Sequence, residues 1–271
     1  MSDRILLVGA GKMGAALAKG WIEKGTRPAD IIAVEPHAPT GAAAAAIGVA
    51  VHAGPEALAA DFRPDVVVFA VKPQSMDAVA PLYQRFKRAG TLFLSIAAGK
   101  PIAYFEAKLG TDAAIVRSMP NTPAAVGHGF TVLVANQNVD QASRARAAKL
   151  LEAVGETAWV ADESLMDAVT ATSGSGPAYV FHLIECLAKA GEAAGLPADL
   201  AMRAARATVA GAGELARRDP TSAEQLRKNV TSPGGPTEAA LKVLMGEGGL
   251  AALMTRAVAA ATQRSRELGK G

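Results

Sequence analysis

The sequence predicts an α/β fold in two parts: a parallel doubly wound sheet over residues 1–161, then an all-helical domain over residues 162–271. Three observations predict it. Short β-branched runs alternate with helical stretches through the first part. The first run ends in a glycine-rich turn that opens a helix. After Asp162 strand signals vanish, and Ala-rich helical segments punctuated by Gly and Pro take over.

The elements follow in order. Ile5–Val8 reads as a strand, Met13–Lys24 as a helix and Ile31–Val34 as the second strand. A helix over Gly41–Ile47 leads to a weak strand at Val49–Val51. Val66–Val71 is a continuous apolar run, as expected for a strand buried on both faces. Helices over Ser75–Phe86, Pro101–Leu109 and Asp140–Val154 fit between strands at Leu92–Ser95, Ala114–Arg117, Thr131–Val134 and Trp159–Val160. The second part reads as helices over Ser164–Thr172, Pro177–Gly195, Ala198–Arg218, Ser222–Lys228, Pro236–Met245 and Leu250–Leu268. Helices this long in so small a domain point to a dimer through the helical part, the alternative being a self-contained helical bundle.

Composition excludes several classes. Half of the residues are apolar, only 4% are aromatic, and the net charge is +3, so disorder is excluded. The charge is too dilute for a basic nucleic-acid stripe, and few rings are present on which bases could stack. One cysteine, Cys186, excludes a disulfide scaffold. Arg4 runs straight into Ile5–Val8, too short a stretch for a signal peptide, and no apolar stretch reaches about 20 residues uninterrupted. A cytoplasmic protein without membrane or nucleic-acid partners is expected. His52, His128 and His182 show no metal spacing, so no metal site is expected.

The chemistry starts at Val8-Gly9-Ala10-Gly11-Lys12-Met13-Gly14, a G-x-G-x-x-G turn between a strand and a helix. Gly9 permits the tight turn, Gly11 lets backbone approach a pyrophosphate, and Gly14 lets helix and strand pack closely, as in a Rossmann-like nucleotide-binding sheet. The helix N-terminus offers free N–H groups to the phosphates. Glu35 stands about 20 residues on, at the end of the second strand, where a carboxylate takes the ribose hydroxyls and repels a 2′-phosphate. His37 is a nearby cation in its protonated form, but no Arg or Lys lies between Glu35 and Gly48 to clamp a phosphate. The chemistry therefore leans to NADH over NADPH. Three more loops follow strands: Ala70-Val71-Lys72-Pro73-Gln74, Ala97-Ala98-Gly99 and Met119-Pro120-Asn121-Thr122-Pro123. In such a sheet ligands bind there, outside the carboxyl ends of the strands. Lys72 is placed to reach the ribose or the reacting centre.

The helical part contains two glycine-rich helix starts, Thr172-Ser173-Gly174-Ser175-Gly176-Pro177-Ala178 and Asn229-Val230-Thr231-Ser232-Pro233-Gly234-Gly235-Pro236-Thr237. Ser175 is a candidate cap, and Pro177 fits a first turn. Such starts aim several backbone N–H groups at one point, which suits a carboxylate. No histidine stands out as a proton relay. An alcohol substrate would demand a general base; a protonated imine, already electrophilic at carbon, would need only positioning.

These residues resemble pyrroline-5-carboxylate reductase. The resemblance rests on Thr172–Tyr179 and Val230–Thr237, together with Val8–Gly14, Ala70–Pro73 and Met119–Pro123, and it runs in order over essentially the whole chain. It implies reduction of 1-pyrroline-5-carboxylate to L-proline by NADPH or NADH, the last step of proline synthesis. It also implies homodimers joined through the helical domain, assembled in relatives into larger rings such as a decamer. The matching hydroxyl for the ring nitrogen is Thr237. The carboxylate would lie against the turn of Ser232, Gly234, Gly235 and Pro236, with Ser175 and Gly176 completing the pocket. Catalytic roles fall to Thr237 and Lys72. Cofactor contacts fall to Val8, Gly9, Ala10, Gly11, Lys12, Met13, Gly14, Glu35, Val71, Lys72, Pro73, Ala98, Asn121 and Asn229.

Three positions depart from the family pattern. Glu35 stands where many relatives carry a small polar residue and use NADPH. Pro236 removes one N–H donor. Pro220 falls where relatives carry an acidic substrate contact, for which Asp219 or Glu224 are the nearby alternatives. Two rival readings are a β-hydroxyacid dehydrogenase and a nicotinamide-binding protein without turnover. The first would need a catalytic Lys and an Asn at helical spacing early in the helical part, where Lys189 has no such Asn. The second is opposed by the intact Lys72, Thr237 and glycine signatures.

Overall fold

The computed structural model describes residues 3–269. The elements are β1 (Ile5–Val8), α1 (Lys12–Glu23), β2 (Ile31–Val34), α2 (Ala38–Ala46), β3 (Ala50–His52), β4 (Val66–Phe69), α3 (Met76–Val79), β5 (Leu92–Ser95), α4 (Ile102–Leu109), β6 (Ala114–Met119), β7 (Gly129–Ala135), α5 (Gln141–Glu152) and β8 (Gly155–Trp159). Helices follow: α6 (Met166–Val169), α7 (Gly176–Ala193), α8 (Ala198–Arg218), α9 (Ala223–Asn229), α10 (Pro236–Leu244) and α11 (Leu250–Gly269). The strands form one sheet in the order β3-β2-β1-β4-β5-β6-β7-β8. The order reverses about β1, which places a topological switch point where β1 meets β4.

The sheet is parallel as far as β6. The expectation of a wholly parallel sheet is corrected at β7, which runs antiparallel to β6 and carries β8 with it in parallel. The cause is loop length. A parallel crossover takes about a dozen residues or more. Only Pro120 to His128, including a 3-10 turn at Thr122–Val126, separates β6 from β7. The next connection contains α5, which is long enough to return β8 parallel to β7.

Strand alternation divides the core between the two faces of the sheet. Ile5, Leu7, Val66, Val68, Leu92 and Leu94 point to one face, where Leu17 and Trp21 of α1 and Leu150 and Leu151 of α5 cover them. Leu6, Val8, Val67, Phe69 and Phe93 point to the other, under Met76, Tyr83, Phe105 and Leu109. Trp21 lies wholly within the first layer and donates its indole N–H to the Leu150 carbonyl at 2.7 Å, so its one polar atom is satisfied. Phe69 packs edge-on to Tyr83 and stacks with Phe105, each at 5.7 Å between ring centres.

Two predicted helices are broken. Ser75–Phe86 contains only a short α3, followed by a 3-10 segment at Ala80–Phe86. Pro81 has no N–H for the α-helical ladder, and its ring clashes with the carbonyl four residues back. Ser164–Thr172 divides into a 3-10 turn (Glu163–Leu165), α6 and a π-turn (Thr170–Gly174).

The chain forms two compact units. One runs to Gly174 and regains the segment from Thr262; the other is Ser175–Ala261. Strand signals stop near Trp159, but the first unit continues because Glu163, Met166 and Asp167 are anchored in it. Glu163 accepts from the Ile102 N–H and from Arg117 Nη1, both at 2.8 Å, and so caps α4 from a distance. Met166 is fully buried. Asp167 accepts from Ser265 of α11 at 2.6 Å. In the second unit α7 and α8 form a hairpin turned at Gly195. Small residues line its contact: Ala188, Ala201 and Ala205 are buried, and a Cβ on Gly191 would lie 3.4 Å from that of Ala201. The outer apolar side chains of this unit, Phe181, Leu183, Leu187, Val243 and Leu253 among them, are exposed in the single chain.

Candidate functional site

The glycine turn at the head of α1 is built by backbone constraints. Gly9 adopts φ +94°, the left-handed region that L side chains avoid, and a Cβ there would meet Val71 Cγ1 at 2.8 Å and the Ala70 carbonyl oxygen at 2.9 Å. A Cβ on Gly14 would fall 2.3 Å from the Gly9 carbonyl oxygen, so helix and turn can approach only over glycine. A Cβ on Gly11, by contrast, would meet nothing within 4 Å. The turn is therefore tight on its inner side and open at its middle.

Its hydrogen bonds decide which donors remain. The Gly9 N–H donates to the Val34 carbonyl at 2.8 Å, and the Ala10 N–H to Glu35 Oε2 at 3.0 Å. No side chain caps α1, and its first turn holds no acidic residue. Among the described residues, the N–H groups of Gly11, Lys12, Met13 and Gly14 have no acceptor from the chain. Four donors at a helix N-terminus, with the Lys12 ammonium exposed beside them, fit a pyrophosphate.

Glu35 is held from both sides. Oε2 takes the Ala10 N–H, and Oε1 takes the His37 N–H, each at 3.0 Å. A carboxylate has about four acceptor positions, so two remain for hydroxyl donors. His37 caps no helix with its ring; Nδ1 lies 2.7 Å from Thr40 Oγ1.

The other predicted loops divide. Val71 flanks Gly9, and Val8 is buried beneath the turn, with its carbonyl accepting from Ala70 at 2.7 Å. Lys72 is exposed and precedes a 3-10 turn begun by Pro73. Ala98 is half-buried after β5, where Ser95 Oγ fixes the bend by accepting from the Ala97 N–H at 3.2 Å. Asn121 has partners of its own within the fold. Its amide is engaged inside the protein, accepting from the Phe130 N–H at 2.9 Å and donating to Ser173 Oγ at 3.2 Å. It braces the reversal into β7, a role that loop position alone does not reveal.

In the second unit the α10 start is similarly defined. Gly234 sits at φ +72°, and Pro236 begins the helix. The Gly235 N–H donates to the Ser232 carbonyl at 3.0 Å, and the Gly234 N–H to Glu238 Oε2 at 2.8 Å. Both glycine N–H groups thus have acceptors within the turn. The remaining first-turn donors are the N–H groups of Thr237 and Glu238, and the Thr237 side chain is exposed. Asn229 ends α9, and its side-chain Oδ1 accepts from Gln225 Nε2 at 2.8 Å. Ser175 does not cap α7: its backbone is helical (φ −86°, ψ −21°) and its side chain makes no cap bond, because the π-turn before it carries the chain into α7 without a break in helical sense. Gly176 is open, with nothing within 4 Å of a built Cβ.

Among the described residues no group of His, Cys, Asp and Glu could hold a metal ion, and no helix is long and apolar enough to cross a membrane.

Residues 163–268 match the family described as pyrroline-5-carboxylate reductase dimerisation, and residues 4–99 match that described as NADP oxidoreductase, coenzyme F420-dependent. A pyrroline-5-carboxylate reductase of Pseudomonas aeruginosa is 44% identical over 270 residues, covering 98% of this chain and 97% of the relative. The solved structure of a pyrroline-5-carboxylate reductase from Coxiella burnetii is similar with a TM-score of 0.90 at 36% identity, covering 100% of both chains. That of Plasmodium falciparum pyrroline carboxylate reductase, with NADP bound, gives 0.82 at 30% identity over 98% of each chain. With likeness of this degree over its full length, the chain belongs to the pyrroline-5-carboxylate reductase family.

Proposed function

We propose that the protein reduces 1-pyrroline-5-carboxylate to L-proline with a reduced nicotinamide cofactor, the last step of proline synthesis. The observation that carries the reading is the 44% identity to a pyrroline-5-carboxylate reductase across 98% of the chain. The open glycine turn at the head of α1 supports it.

The residues that would hold the cofactor are those of the turn, Val8 to Gly14, with Glu35 at the ribose and Val71, Lys72, Pro73 and Ala98 beside it; Asn229 is assigned a contact from the helical part. When bound, the reduced nicotinamide supplies the hydride that the imine carbon accepts. The protein's own work is positioning. The α10 start holds the substrate carboxylate through the Thr237 and Glu238 N–H groups, with Ser232 and the Ser175–Gly176 start completing the pocket. The Thr237 hydroxyl holds the ring nitrogen, which carries the proton as the C=N bond becomes C–N. The exposed Lys72 ammonium is assigned to the reacting centre.

NADH is the proposed preferred form. In support, both oxygens of Glu35 are fixed by backbone N–H groups, so its negative charge cannot withdraw from a 2′-phosphate. We assign a homodimer through the helical part, extending to a larger ring such as a decamer; the exposed apolar side chains of α7, α10 and α11 support it. A cytoplasmic location completes the reading and rests on the cysteine-poor composition. Thr237→Ala tests the mechanism. Turnover should fall at least tenfold while cofactor affinity holds; unchanged kinetics would remove Thr237 from the site.

A further inference from the structure

The α10 start already holds a carboxylate of the protein's own. Glu238 Oε2 accepts the Gly234 N–H at 2.8 Å. An ordinary capping glutamate at the third helical position reaches back to the N–H of the residue preceding the helix. That residue is Gly235, but its N–H is taken by the Ser232 carbonyl, so Glu238 reaches one residue further, into the turn. Pro236 has no N–H at all. Among the described residues of this start, the backbone donors left for an incoming carboxylate are therefore those of Ser232, of Thr237 and of Glu238 itself. Two carboxylates would then meet at one helix start, which is unfavourable for both. One turn along, Lys242 offers the departing carboxylate a partner: its Nζ lies 3.9 Å from the same Glu238 oxygen.

We propose that Glu238 competes internally with the substrate carboxylate, occupying the Gly234 N–H of the α10 start at rest and yielding it to substrate by turning towards Lys242. The inference rests on the assignment of this start to the substrate carboxylate under Proposed function. Glu238 sets substrate affinity and takes no part in hydride transfer.

The test measures KM for 1-pyrroline-5-carboxylate and the inhibition constant of L-proline in the full-length wild type, Glu238→Ala, Glu238→Gln and Lys242→Ala, with thermal melting alongside. Glu238→Ala should lower both constants about two- to fivefold, the range of one modest hydrogen bond, with cofactor KM unchanged. Glu238→Gln, which keeps an acceptor oxygen but no charge, should lower them less, and it carries the test if the alanine variant fails to fold. Lys242→Ala should raise KM in the wild type and have no effect on the Glu238→Ala background. A lower melting temperature with unchanged or raised KM in both Glu238 variants would reduce Glu238 to a helix cap and overturn the proposal. A wild-type protein that does not reduce the pyrroline at all would remove the functional reading, and this inference with it.

Discussion

The Ala10 N–H donates to Glu35 Oε2 at 3.0 Å, so the carboxylate that ends β2 is tied to the glycine turn that ends β1. This bond fixes the charge beside the proposed ribose position. Replacing Glu35 with Ser removes the charge and frees the Ala10 N–H. The ratio of kcat/KM for NADPH to that for NADH should rise about tenfold or more, equivalent to ~1.4 kcal/mol. Steady-state kinetics with each cofactor measures it, and an unaltered ratio would end the role given to Glu35.

Gly14→Ala places a methyl group 2.3 Å from the Gly9 carbonyl oxygen. Either the turn opens or α1 moves away, and both displace the four free N–H groups. Overpacking of this kind costs about 1–3 kcal/mol. Fluorescence titration with NADH should show at least tenfold weaker binding. Gly11→Ala, whose methyl meets nothing in the protein, should leave the fold and its melting temperature intact and weaken cofactor binding alone.

Arg117 is buried in the first unit, and Glu163 is its ion-pair partner at 2.8 Å, with side-chain exposures of 8% and 30%. Removing one member of such a pair leaves a charge with little water to replace its partner. Glu163 also caps α4 through the Ile102 N–H. Glu163→Ala should lower stability by about 2–4 kcal/mol in urea unfolding. A loss below about 0.5 kcal/mol would mean that solvent already screens the pair.

The fold and the glycine turn that opens α1 were largely legible in the sequence because both rest on local rules. β1, β2, β5 and α8 begin and end where their residue patterns predict. Spacing singled out Gly9 to Gly14 and Glu35, which the fold joins through the Ala10–Glu35 bond. What escaped depends on partners distant in the chain. The direction of β7 follows from the length of one connection, and the end of the first unit from the bonds Glu163 and Asp167 make across it. The partners of Asn121, Phe130 and Ser173, are visible only once the chain is folded. Glu238 carries no sequence signal beyond an ordinary capping position, and its reach to Gly234 depends on Ser232 having already taken Gly235.

Phe181 is 61% exposed on α7 of the single chain. A ring of this size at the centre of an association surface contributes about 2 kcal/mol or more. Phe181→Glu should shift the protein towards monomer in sedimentation velocity while leaving its helical circular dichroism unchanged. A wild type that sediments as a monomer at micromolar concentration would contradict the proposed homodimer.

The central claim is tested most directly by adding 1-pyrroline-5-carboxylate and either NADH or NADPH to the purified protein and following the loss of reduced cofactor together with the appearance of L-proline. The account predicts stoichiometric proline formation with both, faster with NADH. Consumption of neither cofactor in the presence of the pyrroline would contradict it.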